Sequence, residues 1–250
     1  TRSDTRGSET GFLFFLLSIT RMIAPLIGGL LISFLGFPVI FIIAIITIFL
    51  SALPFAREQT STGLTHQRLN IIMTELTDVK HSKQHLIFFS MGAIFLIAEV
   101  VWPIAVYTFF NDFAELGLFA TIATLIATII TYLLTKMFTR YSKEYLLTMG
   151  TVQYAFGWLL RGFVSNRFIF IIADFAAKIG DNFTMIPLYA ITYDWHALED
   201  KTSFQLRRIM TMSLGYALPA CIAIFWPAEM IRILLFTAPL FCLSFLAAKK

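Results

Sequence analysis

Residues 38–55 read PVIFIIAIITIFLSALPF and contain no charged side chain. About 20 mostly apolar residues in an α-helix cross the hydrocarbon core of a bilayer. Seven further apolar stretches of similar length lie at 11–35, 86–110, 113–135, 145–164, 168–192, 207–226 and 230–248. The sequence therefore predicts an all-α fold, a polytopic transmembrane helical bundle of about eight spans.

The composition argues against a water-soluble domain. Hydrophobic residues make up 58% of the chain and charged residues 14%. A soluble domain has about 45–50% apolar and about 25% charged residues, so a soluble fold of this length could not cover its core with polar side chains. Cys221 and Cys242 lie in apolar stretches, with neither a CxxC partner nor a nearby histidine. We therefore expect no metal site, no disulfide and no cofactor.

The positive charges indicate how the helices cross the membrane. The net charge is +4, and the basic residues lie mostly in short connections, which favours a topological role over nucleic-acid binding. With the N-terminus inside, fourteen lysines and arginines fall on the inner side and three, Arg161, Arg167 and Arg232, on the outer side. This bias predicts that both termini are cytoplasmic and that the chain lies in the plasma membrane, the inner membrane of a bacterium.

The longest connection, residues 56–85, is predicted to be cytoplasmic. Within it, apolar residues recur at helical spacing and polar residues fill the other face. The apolar set consists of Leu69, Ile72, Met73, Leu76 and Val79. This pattern predicts a short amphipathic helix on the cytoplasmic membrane surface, and the alternative is a solvated loop.

The first apolar stretch contains small residues at regular positions, together with a proline. These residues are Gly11, Thr20, Ala24, Pro25, Gly28 and Gly29. Small residues let two helix backbones approach closely in a membrane. The spacing resembles motif C, the antiporter signature in the fifth helix of major facilitator superfamily transporters, with Thr20 and Ala24 standing where that motif has glycine. Arg21 lies in the same segment and serves either packing or the motif.

The connection between the fourth and fifth stretches resembles motif A, the basic loop motif of the same superfamily. Arg140 matches it and Lys143 is a conservative replacement. The resemblance implies that the spans are helices five to twelve of a twelve-helix fold. Residues 1–55 would then end the N-terminal bundle, 56–85 would join the bundles, and 86–250 would form the C-terminal bundle. It also implies that four helices of the same protein precede this chain, which alone would not transport.

Ionisable residues within the apolar stretches are the strongest functional signal. They are Arg21, Glu99, Asp174, Lys178 and Asp181. A charge in the hydrocarbon core usually faces a cavity or a partner. Asp174, Lys178 and Asp181 share one helix face, so Lys178 can pair with either acid and one acid is left over. That acid and Glu99, which has no basic neighbour on its own helix, are candidates to carry a proton. Asn182 continues the face as a candidate substrate contact.

The resemblance turns these residues into a functional hypothesis. It places Glu99 on helix seven and the triad of Asp174, Lys178 and Asp181 on helix ten, and both helices line the central cavity in this superfamily. The function implied is secondary active transport of a small molecule by alternating access, coupled to protons, with antiport or efflux favoured, and not enzymatic activity. The alternatives are a membrane enzyme acting on lipids and a membrane sensor or scaffold that does not transport. The alternative for the triad is a structural ion-pair lock within the helix bundle, and the functional interpretation is favoured.

Overall fold

The computed structural model describes residues 19–20, 22–57, 78–107, 110, 112–137, 141–225 and 230–248. These residues form eight helices, one at each predicted apolar stretch. In chain order they are α1 (Met22–Leu35), α2 (Phe37–Arg57), α3 (Val79–Tyr107), α4 (Phe113–Met137), α5 (Lys143–Gly162), α6 (Arg167–Leu198), α7 (Lys201–Phe225) and α8 (Met230–Ser244). No strand occurs in these ranges, so the prediction of an all-α fold is confirmed.

Four helices of the described chain are long and apolar enough to cross a membrane. The qualifying segments are Phe37–Pro54, Val79–Tyr107, Thr202–Phe225 and Ile231–Ala248. Met22–Leu35 and Phe113–Ile129 are shorter apolar helices. The helices α5 and α6 are long enough to cross a membrane but are more polar than these four segments. Charged residues lie in both: Lys143, Glu144 and Arg161 in α5, and Asp174, Lys178 and Asp181 in α6. The transmembrane character of the chain is thus supported in four helices, while the count of eight spans stays a prediction.

Several predictions concern residues outside the described ranges. They are those for Gly11, Arg21, Arg140 and most of the predicted amphipathic helix. The described end of that connection starts at Asp78, whose carboxylate accepts a hydrogen bond from the Lys80 N–H at 2.9 Å. Asp78 thereby caps a 3-10 turn, Val79–His81, which continues directly into the long α-helical part of α3.

The chain divides into two compact units, which are described separately. The first comprises residues 1–66 and 110–128, and the second comprises residues 67–109 and 129–250. The first unit therefore contains α1, α2 and the beginning of α4, and the second contains α3 and α5 to α8. The predicted bundle boundaries stay a prediction.

In the first unit, α1 packs against the beginning of α4 through glycines. A Cβ atom on Gly29 would overlap the Phe113 carbonyl, and a Cβ atom on Gly117 would overlap the Pro25 carbonyl. The neighbouring Gly28 has open space around it. The two backbones therefore meet directly, which is the kind of contact that small residues allow in membrane helices.

The second unit is built from two closely packed helix pairs. In the α5–α6 pair, Gly150, Gly157 and Gly180 lie against the backbone of the opposite helix. In the α3–α7 pair, Gly92 and Gly215 do the same. The helix α8 packs against both α3 and α5 and so joins the pairs. Contacts between the two backbones, with no side chain between them, thus fix the register of each helix pair.

A local widening of α3 decides which of its side chains point into this unit. Pro103 has no N–H, and its ring crowds the carbonyl of the residue four positions earlier. Just before it, at Ile97–Val101, the helix becomes a π-helix, a form often found at functional sites. The indole of Trp102 is buried, with 6% exposure, whereas Glu99 is exposed.

Candidate functional site: a buried charge cluster

The antiparallel helices α5 and α6 place opposite charges next to each other. Their register sets Gly157 against the backbone of Ala177. Arg161 follows Gly157 by one turn, and Asp174 precedes Ala177 by about one turn, so the two charged residues meet. The Arg161 Nη2 donates a hydrogen bond to Asp174 Oδ1 at 2.5 Å, and the two side chains are 5% and 2% exposed. This is a fully buried ion pair.

Aromatic rings enclose the guanidinium of Arg161. The centroids of the Trp102 and Trp158 rings lie 4.2 Å and 4.3 Å from its central carbon. Trp102 also donates from Nε1 to Asp174 Oδ1 at 2.8 Å, and its ring stacks on Phe170 at 5.3 Å. Cation–π contacts of this kind strengthen when the cation is desolvated. The aromatic rings therefore hold both members of the ion pair in place.

Lys178 is the part of the cluster that reaches the surface of the unit. Its Nζ lies 3.3 Å from Asp174 Oδ2, and its side chain is 30% exposed. Asp174 therefore accepts from Arg161 and Trp102 on one oxygen and pairs with Lys178 on the other. We call Trp102, Trp158, Arg161, Asp174 and Lys178 the buried charge cluster. It holds two cations and one anion.

The structure brings together only some of the predicted site residues. Asp174 and Lys178 form the predicted pair. Asp181 and Asn182 lie further along α6, partly buried, and both interact with neighbouring groups. Glu99 lies on the exposed side of α3, and among the described residues no ion pair or hydrogen bond joins it to the cluster.

Sequence reasoning missed the strongest partner of Asp174. The charge pattern predicted Arg161 to lie on the outer side of the membrane as one of the topological charges, and that side stays a prediction. The structure shows that its side chain is buried in the last turn of α5, with the guanidinium between two tryptophan rings rather than in solvent. A signal was present: Tyr154, Trp158 and Arg161 are spaced four and three apart, so they share one face of the helix.

The motif-like residues within the described ranges have structural contacts. Pro25 and Gly29 lie in the α1–α4 contact, and Gly28 faces open space. Lys143 begins α5 and pairs with Asp194 of α6 at 2.9 Å, with both side chains largely exposed. A surface pair of this kind contributes at most about 1 kcal/mol to stability.

A second polar group lies where the beginning of α3 meets the α6–α7 turn. Glu199 accepts from Gln84 Nε2 at 2.6 Å and from Arg207 Nη2 at 2.5 Å, and His81 Nδ1 lies 3.7 Å from its carboxylate. Arg207, which the charge pattern predicts to lie on the inner side, has a side chain that is 2% exposed. This network ties three helix ends together.

Comparison with known proteins adds no assignment to this geometry. A scan against models of protein families finds no match to the chain, and a search of curated proteins finds no significant relative. The described part of the chain is all-helical, with four helices of membrane-spanning length and composition. These features define its class as a helical membrane protein with a buried charge cluster.

Proposed function

We propose that this protein is a secondary active transporter of small molecules with a fold of the major facilitator type. The observation that carries the proposal is the buried charge cluster on α5 and α6. Charges buried among apolar helices are expensive and usually serve a substrate or ion pathway. A purely structural lock would need only the Arg161–Asp174 pair, whereas this cluster adds a second, partly exposed cation.

The exposure of each charged group suggests a division of roles. Arg161 and Asp174 are buried and position the cluster. Lys178 keeps 30% of its side chain exposed, so it is the group that can reach an anionic part of a substrate. One buried donor, Arg161 Nε, has no hydrogen-bond partner among the described residues. Since buried donors are normally paired, an acceptor oxygen of a substrate would suit it.

Glu99 is the proposed proton carrier. It is exposed on the second unit and has no charged partner in the described chain. A carboxylate without a fixed cation can bind and release a proton without breaking an ion pair. Asp174 fits this role less well, because it is the buried partner of Arg161 and also accepts a hydrogen bond from Trp102.

Transport by the full-length gene product in proteoliposomes tests the proposal. A pH gradient is applied, and electrogenic uptake is recorded for organic anions, organic cations and neutral sugars. We expect Glu99→Gln to lose pH-driven transport while Glu115→Gln, a control acid on α4, retains it. We expect Lys178→Met to lose transport of anions while Lys83→Met, a control on the exposed start of α3, retains it.

Each outcome addresses one part of the proposal. Unchanged pH-driven transport by Glu99→Gln would show that Glu99 is not the coupling group. Unchanged anion transport by Lys178→Met would remove the substrate role of the cluster. If no compound class moves across the membrane, the protein is not a transporter of these compounds.

A further inference from the structure

A small cavity opens between α6 and α7, near the end of the pair that the charge bias predicts to be cytoplasmic. Its volume is about 50 Å³. It is lined by Thr192, Tyr193, His196, Phe204, Gln205 and Arg208. A single buried water needs about 10–15 Å³ on this measure. The cavity, here called the α6–α7 pocket, therefore has room for a group the size of a phosphate.

The pocket is lined by two buried side chains and by polar side chains with defined directions. Phe204 is 1% exposed, and Thr192, which is 4% exposed, donates a hydrogen bond from its hydroxyl to the Tyr189 carbonyl. The imidazole of His196 meets the Phe204 ring edge-on at 5.2 Å, which fixes its direction. The guanidinium of Arg208 lies 5.9 Å from the centroid of the Tyr189 ring. The side chains of His196 and Arg208 thus each contact an aromatic ring at the rim of the pocket.

The charge around the pocket is positive. The acidic residues at the end of α6 and in the turn after it are engaged by other groups: Asp194 by Lys143, Glu199 by Arg207, and Asp200 by the Ser203 N–H. Arg208 has no carboxylate partner among the described residues. A partly buried guanidinium without a counter-ion, beside a cavity, is suited to a tetrahedral anion, which it can bind through two parallel hydrogen bonds.

We infer that the α6–α7 pocket binds the phosphate group of an anionic membrane lipid, with Arg208 as the main ligand and His196 and Gln205 as further donors. Basic pockets between transmembrane helices on the cytoplasmic side bind such headgroups. Arg208 lies in the first two turns of the membrane-length segment of α7. Ile209, next to Arg208 in the chain, and Leu198, at the end of α6, are 60% and 85% exposed, so acyl chains would find apolar side chains near these helix ends.

Lipid titration followed by native mass spectrometry tests this inference on the purified full chain in an uncharged detergent. We expect phosphatidylglycerol to bind more tightly than phosphatidylcholine. Arg208→Gln should weaken phosphatidylglycerol binding about tenfold, since a hydrogen bond to a charged group is lost. Arg167→Gln removes the same charge from the exposed opposite end of α6 and should change the affinity by less than about twofold.

The control variants and a phosphate competition distinguish a specific lipid site from general attraction to anionic lipid and from a site for soluble phosphate. Equal weakening by Arg208→Gln and Arg167→Gln would mean general attraction to anionic lipid and would overturn the site. Displacement of phosphatidylglycerol by millimolar inorganic phosphate in the wild type, absent in Arg208→Gln, would assign the pocket to soluble phosphate. If Arg208→Gln does not fold, Gln205→Glu places a negative charge at an exposed position of the rim. Retained phosphatidylglycerol binding by that variant would also overturn the inference.

Discussion

Replacing Asp174 by Asn removes the only anion of the buried charge cluster while keeping the size of the side chain. The change leaves Arg161, which is 5% exposed, without a counter-charge between two tryptophan rings. Removing one member of a buried ion pair destabilises a protein by about 3–5 kcal/mol. Total stabilities are about 5–15 kcal/mol, so the variant should lose a large part of its stability.

Lys178→Met is the matched comparison on the same carboxylate. Lys178 is 30% exposed and its Nζ lies 3.3 Å from Asp174, so water screens this pair. We expect a loss of at most about 1 kcal/mol, as for surface pairs. Asp174→Asn and Lys178→Met should therefore differ by about 2 kcal/mol or more, although each breaks the same Lys178–Asp174 contact.

Equilibrium unfolding by SDS in mixed micelles measures both variants, with tryptophan fluorescence as the signal because Trp102 and Trp158 lie in the cluster. A double variant, Arg161→Met with Asp174→Leu, replaces the pair by apolar groups and should recover part of the loss, since such replacements are often neutral. An Asp174→Asn variant within about 1 kcal/mol of wild type, or one equal to Lys178→Met, would refute the buried-pair reasoning.

Three further predictions concern other parts of the molecule. Gly29→Ala should destabilise the protein by about 1–3 kcal/mol because the new methyl group overlaps the backbone of α4, whereas Gly28→Ala should be neutral or stabilising by up to about 1 kcal/mol. Thermal melts measure both, and equal effects would contradict the α1–α4 contact. The Ser203 N–H hydrogen bond holds the pKa of Asp200 below its ordinary value of 3.8. This carboxylate therefore stabilises the fold above that pH and ceases to do so as the pH falls through its lowered pKa. Asp200→Asn should accordingly melt below wild type at neutral pH and converge with it in acid, and a pH-independent difference would exclude this role. Glu199→Gln should cost about 2 kcal/mol by SDS unfolding, since the buried guanidinium of Arg207 loses its anion; a variant as stable as wild type would contradict the network.

Within the described residues, the sequence correctly predicted which apolar segments form helices and that Asp174 and Lys178 form an ion pair on one face of α6. Both follow from local spacing, because a helix repeats every 3.6 residues whatever surrounds it. The pairing of Asp174 with Lys178, four residues away, needs no second helix. The helices α5 and α6 are not among the four described helices that are long and apolar enough to cross a membrane, since their charged residues lower the mean hydropathy. That they cross the membrane stays a prediction.

Partners on different helices could not be predicted in this way. Arg161 meets Asp174 because Gly157 lets α5 approach the backbone of α6 at one particular register. The direction in which the Glu99 side chain points could not be predicted from helical periodicity, for another reason. The π-helical turn before Pro103 changes the phase of α3, so that ideal helical counting no longer describes which side chains point inward.

By itself, the sequence determined the all-helical class, the positions of the helices and the membrane-spanning composition, because chain length and apolar content act within single segments. Only the tertiary structure decided which charges meet, which of them are exposed and where a pocket opens between α6 and α7. These properties depend on the register of two packed helices, which is set by close backbone contacts between residues far apart in the chain.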